Sequence, residues 1–145
     1  MNSVQVIATT YEGTRAAIET AVPLARGSQR PLTVVVPKIV VDYPQSTDEA
    51  ADATEAAVED YKEFIDELDG NGSVRVCLCQ SVDDLIERMT APNMTIVVGG
   101  PSGRWRMSPE ERFANRLSRR GRHVVFTSTG PSTTSRRMGC DPIPV

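Results

Sequence analysis

Aromatic side chains are scarce: three Phe, three Tyr and one Trp make up 5% of 145 residues. Val, Ile, Leu and Ala must therefore fill any core. Cysteine is limited to Cys77, Cys79 and Cys140. An odd count in a chain without a secretory leader argues against a disulfide framework. His123 is the only histidine. It begins a strand-like run, and no nucleophile is paired to it by local sequence, so catalysis is not expected. No apolar run approaches the ~20 residues of a membrane-spanning helix. Met1-Asn2-Ser3-Val4-Gln5 lacks the basic and apolar regions of a signal peptide, so a cytoplasmic location is the expectation. Phosphate-loop and dinucleotide fingerprints are missing too. Ala8 to Gly13 contains no Gly-x-Gly-x-x-Gly, and Gly-Lys-Ser occurs nowhere. The paired acidic residues of a receiver domain are replaced by Thr9-Thr10 and Cys79-Gln80.

What is present fits one globular domain: 39% hydrophobic and 24% charged residues. The net charge of −3 is unevenly spread. Asp42 to Asp69 is acidic, relieved only by Lys62, whereas Arg104 to Arg122 carries seven arginines. Such asymmetry can mark an anion-binding face or two solvated helix faces of opposite sign. Arg112, Arg116 and Arg119 or Arg120 recur at helical spacing and repel one another. Glu111 is the only nearby acid that stands out, so an external polyanion, the acidic helix of another chain, or solvent and salt would relieve the repulsion. Cys77 and Cys79 would share one face of a strand, either as buried small hydrophobes or as two ligands of a soft metal.

Short β-branched runs alternate with segments of helical period. Val4 to Thr9 reads as a first strand and Thr14 to Arg26 as a helix, bent or weakened by Pro23 and stopped by Gly27. Leu32 to Val36 is the nearly all-apolar run of a strand buried on both faces, with Pro37 ending its pairing. Asp48 to Leu68 is a long acidic helix, capped from Ser46-Thr47-Asp48 and broken by Gly70-Asn71-Gly72. Ser73 to Cys79 is a third strand. Ser81 caps a short helix with Val82, Leu85, Ile86 and Met89 inward. Pro92-Asn93 turns into a fourth strand, Thr95 to Val98, ending at Gly99-Gly100. Ser108-Pro109-Glu110-Glu111 opens the last helix as a capping box. His123 to Thr127 is the fifth strand. The domain is expected over 1–129, with a flexible tail over 130–145. Strands alternating with helices predict a three-layer α/β sandwich around a mainly parallel sheet.

Several stretches carry a resemblance to the universal stress protein family. Val6-Ile7-Ala8-Thr9-Thr10-Tyr11 runs without a gap into Arg15-Ala16-Ala17-Ile18 and Ala21-Val22-Pro23-Leu24-Ala25. The acidic helix from Asp48 to Leu68 has the family's length and place. Ile96-Val97-Val98-Gly99-Gly100, a Gly-bearing loop, a helix and a Val-rich strand resemble its C-terminal half. The resemblance implies a five-stranded parallel sheet in order 3-2-1-4-5, of the adenine nucleotide alpha hydrolase-like (Rossmann-like) kind. It also implies a ligand crevice between strands one and four, and a homodimer through the last strand.

In that family's nucleotide binders an Asp ends the first strand; here Thr9 takes its place, followed by Thr10 and Tyr11. The phosphate motif is Gly, two residues, Gly, nine residues, then Gly and a hydroxyl residue. Gly100-Pro101-Ser102-Gly103 supplies the first half, but Phe113 and Ala114 stand where the second should be. Arg104 and Arg106 could grip an anion in compensation. Trp105 between them could stack on a base or bury in a dimer. The candidate nucleotide or anion site is therefore Thr9, Thr10, Val36, Gly99, Gly100, Ser102, Gly103, Arg104 and Arg106. The expectation is a non-enzymatic, stress-linked module that acts through self-association, with a degenerate nucleotide site and no required cofactor. ATP binding is one alternative. An arginine face docking on a protein or nucleic acid is another, with nucleic acid the less favoured.

Overall fold

Five strands and four helices alternate along the chain: β1 (Ser3–Ile7), α1 (Tyr11–Ser28), β2 (Leu32–Ile39), α2 (Asp48–Glu67), β3 (Gly72–Cys79), α3 (Val82–Arg88), β4 (Met94–Ser102), α4 (Pro109–Arg119) and β5 (His123–Pro131). The computed structural model describes residues 3–39, 48–68, 70–89, 94–103 and 105–131, with backbone alone for 48–54 and 131. The expected Ser46-Thr47 cap, the Pro92-Asn93 turn, Arg104, Cys140 and the chain from 132 onward lie outside the described residues.

The strands form one sheet in order β3-β2-β1-β4-β5, and every pairing is parallel. This is the three-layer α/β architecture and strand order expected from the sequence. Val34 and Val35, adjacent and both fully buried, show why β2 reads as an unbroken apolar run. Val34 packs with Ile18, Ala21, Tyr61 and Phe64 beneath α1 and α2. Val35 packs with Leu85, Ile86, Ala114 and Leu117 beneath α3 and α4. A parallel sheet covered on both faces requires such runs.

Two stop signals act differently from expectation. α1 continues past Gly27 and ends at Gln29, whose φ of 56° is left-handed. There Gln29 N–H donates to Arg26 O and Arg30 N–H to Ala25 O, the crossed pair that closes a helix end. β2 likewise runs through Pro37, which pairs with Cys77 of β3. Val35 O faces β1 and accepts from Ala8 N at 2.9 Å. Two residues on, the nitrogen of Pro37 faces the same side, where β1 has already ended. The missing donor therefore costs the sheet no bond.

β4 and β5 are also longer than their apolar runs. β4 continues through Gly99-Gly100-Pro101 to Ser102, and β5 reaches Pro131, which pairs with Ser102 across an irregular step. Within α3, Leu85 and Ile86 turn inward and Met89 follows them, but Val82 is 42% exposed. It occupies the first helical position after the Ser81 cap, at the rim of the sheet. Two arginines at α4 find acidic partners that the local sequence did not reveal. Asp83 pairs with Arg116, and Glu87 with Arg120 at 3.2 Å, so α3 and α4 match charges one turn apart. Both acids lie 33 residues from their arginines, beyond any local sequence window.

Candidate functional site

Strand order reverses between β1 and β4, and parallel sheets usually hold ligands beyond the carboxyl ends of the strands at such a reversal. Two helices begin beside it, and each has its first amides satisfied from within the chain.

At the start of α1, Thr10 caps the helix by accepting from Gly13 N at 3.0 Å. Thr14, fully buried, accepts from Thr9 N at 2.9 Å and donates to Thr10 O at 2.7 Å. Thr9 Oγ1 donates to Gly99 O at 2.6 Å, tying β1 to β4. The helix lies hard against the strand there. A Cβ on Gly99 would stand 2.1 Å from Gly13 O, and one on Gly13 would stand 2.4 Å from Gly99 O. Only glycine at both positions permits this approach.

At the start of α4 a hydroxyl and a carboxylate share the same task. Ser108 and Glu111 form the expected capping box, with Ser108 Oγ accepting from Glu111 N at 3.1 Å and Glu111 Oε1 accepting from Ser108 N at 2.8 Å. Glu111 Oε1 also accepts from Gly103 N at 2.9 Å. The Gly103 amide, followed by that of Ser108, holds this carboxyl below the ordinary carboxylate range. Glu110 leans over Gly100, where an added Cβ would meet Glu110 Cγ at 2.6 Å. Glu110 Oε1 is buried and has no hydrogen-bond partner among the described residues. Two carboxylates therefore border the glycine turn that would otherwise present amides to a phosphate.

Between α3, α4 and the ends of β1 and β2 lies a cavity of about 440 Å³. Its walls are largely apolar, and Thr9, Glu110, Arg112 and Arg116 are its polar members. Of the candidate residues among the described ones, only Thr9 lines it. Val36 packs with the α1–α2 core, and its neighbour Pro37 lines the cavity instead. Along a strand successive side chains point to opposite faces, so a one-residue misplacement exchanges the site for the core. Gly99 faces α1, Ser102 Oγ pairs with Ser128 Oγ, and the Gly103 amide is taken by Glu111. Arg106 is exposed and does not line the cavity; Trp105 is 91% exposed. Tyr11 stacks on Tyr61 at 6.3 Å, away from the cavity, with Arg15 over both Tyr11 and Phe64. Arg112, Phe113 and Ile39 are wall residues that the motif comparison did not single out as binding groups.

A larger opening, about 580 Å³, lies at the amino ends of β2 and β3, remote from the strand reversal. Arg30 on its wall is held by Ser28 Oγ and Thr95 Oγ1. His123 Nδ1 lies 3.2 Å from the same Thr95 hydroxyl, which places the only histidine away from the crevice. Cys79 is buried, and burial, then the neighbouring Cys77, pushes its thiol upward, so it serves as a small hydrophobe. Among the described residues no group of three His, Cys, Asp or Glu could hold a metal ion, and no helix is long and apolar enough to cross a membrane.

No protein-family model and no curated protein matches the chain. Solved structures do. A universal stress protein from Archaeoglobus fulgidus superposes with a TM-score of 0.65 at 15% identity, over 87% of this chain and 92% of that one. The chain has the universal stress protein fold. A universal stress protein in complex with cAMP matches with a TM-score of 0.63 at 18% identity, over 88% and 97% of the two chains. A universal stress protein family protein from Arabidopsis thaliana with AMP bound matches with a TM-score of 0.55 at 11% identity, over 94% and 95%. The universal stress protein fold accounts for nearly all of each chain's length.

Proposed function

We propose that the chain is a non-enzymatic binding module of universal stress protein type whose crevice has lost the capacity to hold a triphosphate. One observation carries this reading: Glu111 already occupies the amides of Gly103 and Ser108. An incoming phosphate would have to displace that carboxylate and lie beside the unpartnered oxygen of Glu110. Both terms are repulsive in a partly desolvated site. Titration calorimetry with ATP and ADP is expected to give no micromolar binding. Micromolar ATP binding that is lost in Thr9→Val overturns the proposal.

A second reading retains a monophosphate nucleotide, because related folds are seen with cAMP and AMP. The cavity beside Thr9 favours it, since about 440 Å³ falls within the usual range for small-ligand sites. AMP and cAMP titrations separate the two readings.

Self-association through β5 is part of the first reading. β5 is an outer strand paired on one side only, which leaves a free edge for a second copy. Sedimentation is expected to show a dimer, and a monomer at millimolar concentration overturns this part. For the arginine-face alternative, Asp83 and Glu87 pair with Arg116 and Arg120, while Arg112 and Arg119 have no carboxylate partner among the described residues.

A further inference from the structure

The crevice has an unusual combination of walls. Ile39 is 49% exposed and Val82 42% exposed, although both border a cavity rather than a flat surface. Phe113 joins them from α4. Apolar side chains open to a concavity of this size gain from being covered by an apolar body.

The charges around the cavity are also unequal in availability. Arg116 is engaged by Asp83. Glu110 meets the cavity from the side of Gly100, with one oxygen sealed off. Arg112 donates to Met107 O at 3.0 Å and has no carboxylate partner among the described residues. It is an exposed guanidinium beside an apolar hollow. Its planar fork matches a carboxylate by two parallel hydrogen bonds.

We infer that the crevice binds a small amphipathic monocarboxylate, with its hydrocarbon body against Ile39, Val82 and Phe113 and its carboxylate on Arg112. The inference rests on the loss of triphosphate binding proposed above and names the ligand class that replaces it. One negative charge meets the one cavity-lining arginine that, among the described residues, has no carboxylate partner. A ligand with several charges would bring the excess toward Glu110.

The test uses octanoate and octanol, which share a hydrocarbon body and differ in charge, with ATP as a third ligand. Calorimetry on the full chain is expected to show octanoate binding at least tenfold more tightly than octanol. Arg112→Gln should erase that difference and leave octanol unchanged. Val82→Asp should weaken both ligands; Asp is well tolerated in the first turn after a Ser cap, so the fold is kept, as circular dichroism will check. Equal affinity for the two ligands, or octanoate binding indifferent to Arg112→Gln, overturns the inference. Failure of both octanoate and ATP to bind overturns the ligand class and leaves the loss of triphosphate binding standing. Micromolar ATP binding without octanoate binding overturns both.

Discussion

The helix starts of α1 and α4 share a hydroxyl cap and differ in what surrounds it. At α1 the orphan amides are satisfied by neutral hydroxyls, Thr10 and Thr14, and the backbone then presses against β4 at Gly13 and Gly99. At α4 a neutral hydroxyl, Ser108, likewise caps the helix, but an ionised side chain, Glu111, takes the amides of Ser108 and Gly103, with Glu110 beside it. A hydroxyl closure is indifferent to the charge of a neighbour. A carboxylate closure favours cations and donors and resists anions. The α1 start is thus an electrically silent wall and the α4 start an acidic one; of the two, only the acidic wall, through Pro109 and Glu110, lines the cavity.

Four substitutions would break or sharpen this contrast. The largest effect is expected at the tight contact of the silent wall. Gly99→Ala puts a methyl 2.1 Å from Gly13 O, so the helix must move off the strand. Urea denaturation should show a loss of about 3 kcal/mol, with the cavity beside Thr9 disturbed as well. Thr14→Val keeps the volume but removes a buried hydroxyl that both accepts and donates. Leaving Thr9 N and Thr10 O without it should cost about 2 kcal/mol by the same measurement.

The acidic wall is tested by pH. Glu111 has a folded-state value below its unfolded one, so its stabilisation is present above about 4.5 and is lost as pH falls through the folded value. Glu111→Gln should therefore be less stable than the parent at neutral pH. The two should converge in thermal melts taken progressively below about pH 4.5. Smallest of all is Arg116→Gln, which removes an exposed pair with Asp83. A change below about 1 kcal/mol is expected, shrinking further in high salt.

Much of the fold was legible because the sequence repeats its evidence. The adjacent buried pair Val34 and Val35 announces a two-faced strand, and Ser108 with Glu111 announces the start of α4. Strand ends were less legible. Pro37 and Gly99-Gly100 look like terminators when taken alone, yet each is permitted by what its neighbours do: β1 stops early, and α1 comes close. Of the cavity walls, Thr9 was marked by the family resemblance, whereas Pro37, Ile39 and Arg112 were not, since strand parity and helix rotation decide which residues face the cavity. The Asp83–Arg116 and Glu87–Arg120 pairs were hidden for a related reason. They join two helices on one face of the sheet, and no local pattern encodes which helices become neighbours.

Pro37 has one further consequence. Because its ring nitrogen carries no hydrogen, a chain extending β1 would find only the Pro37 carbonyl to bond at that rung, where an ordinary residue offers a donor as well. The hollow is thus edged by backbone that holds an added strand weakly. Replacing this imino acid with an ordinary residue would supply the second bond and favour a strand-like segment in the space a ligand needs.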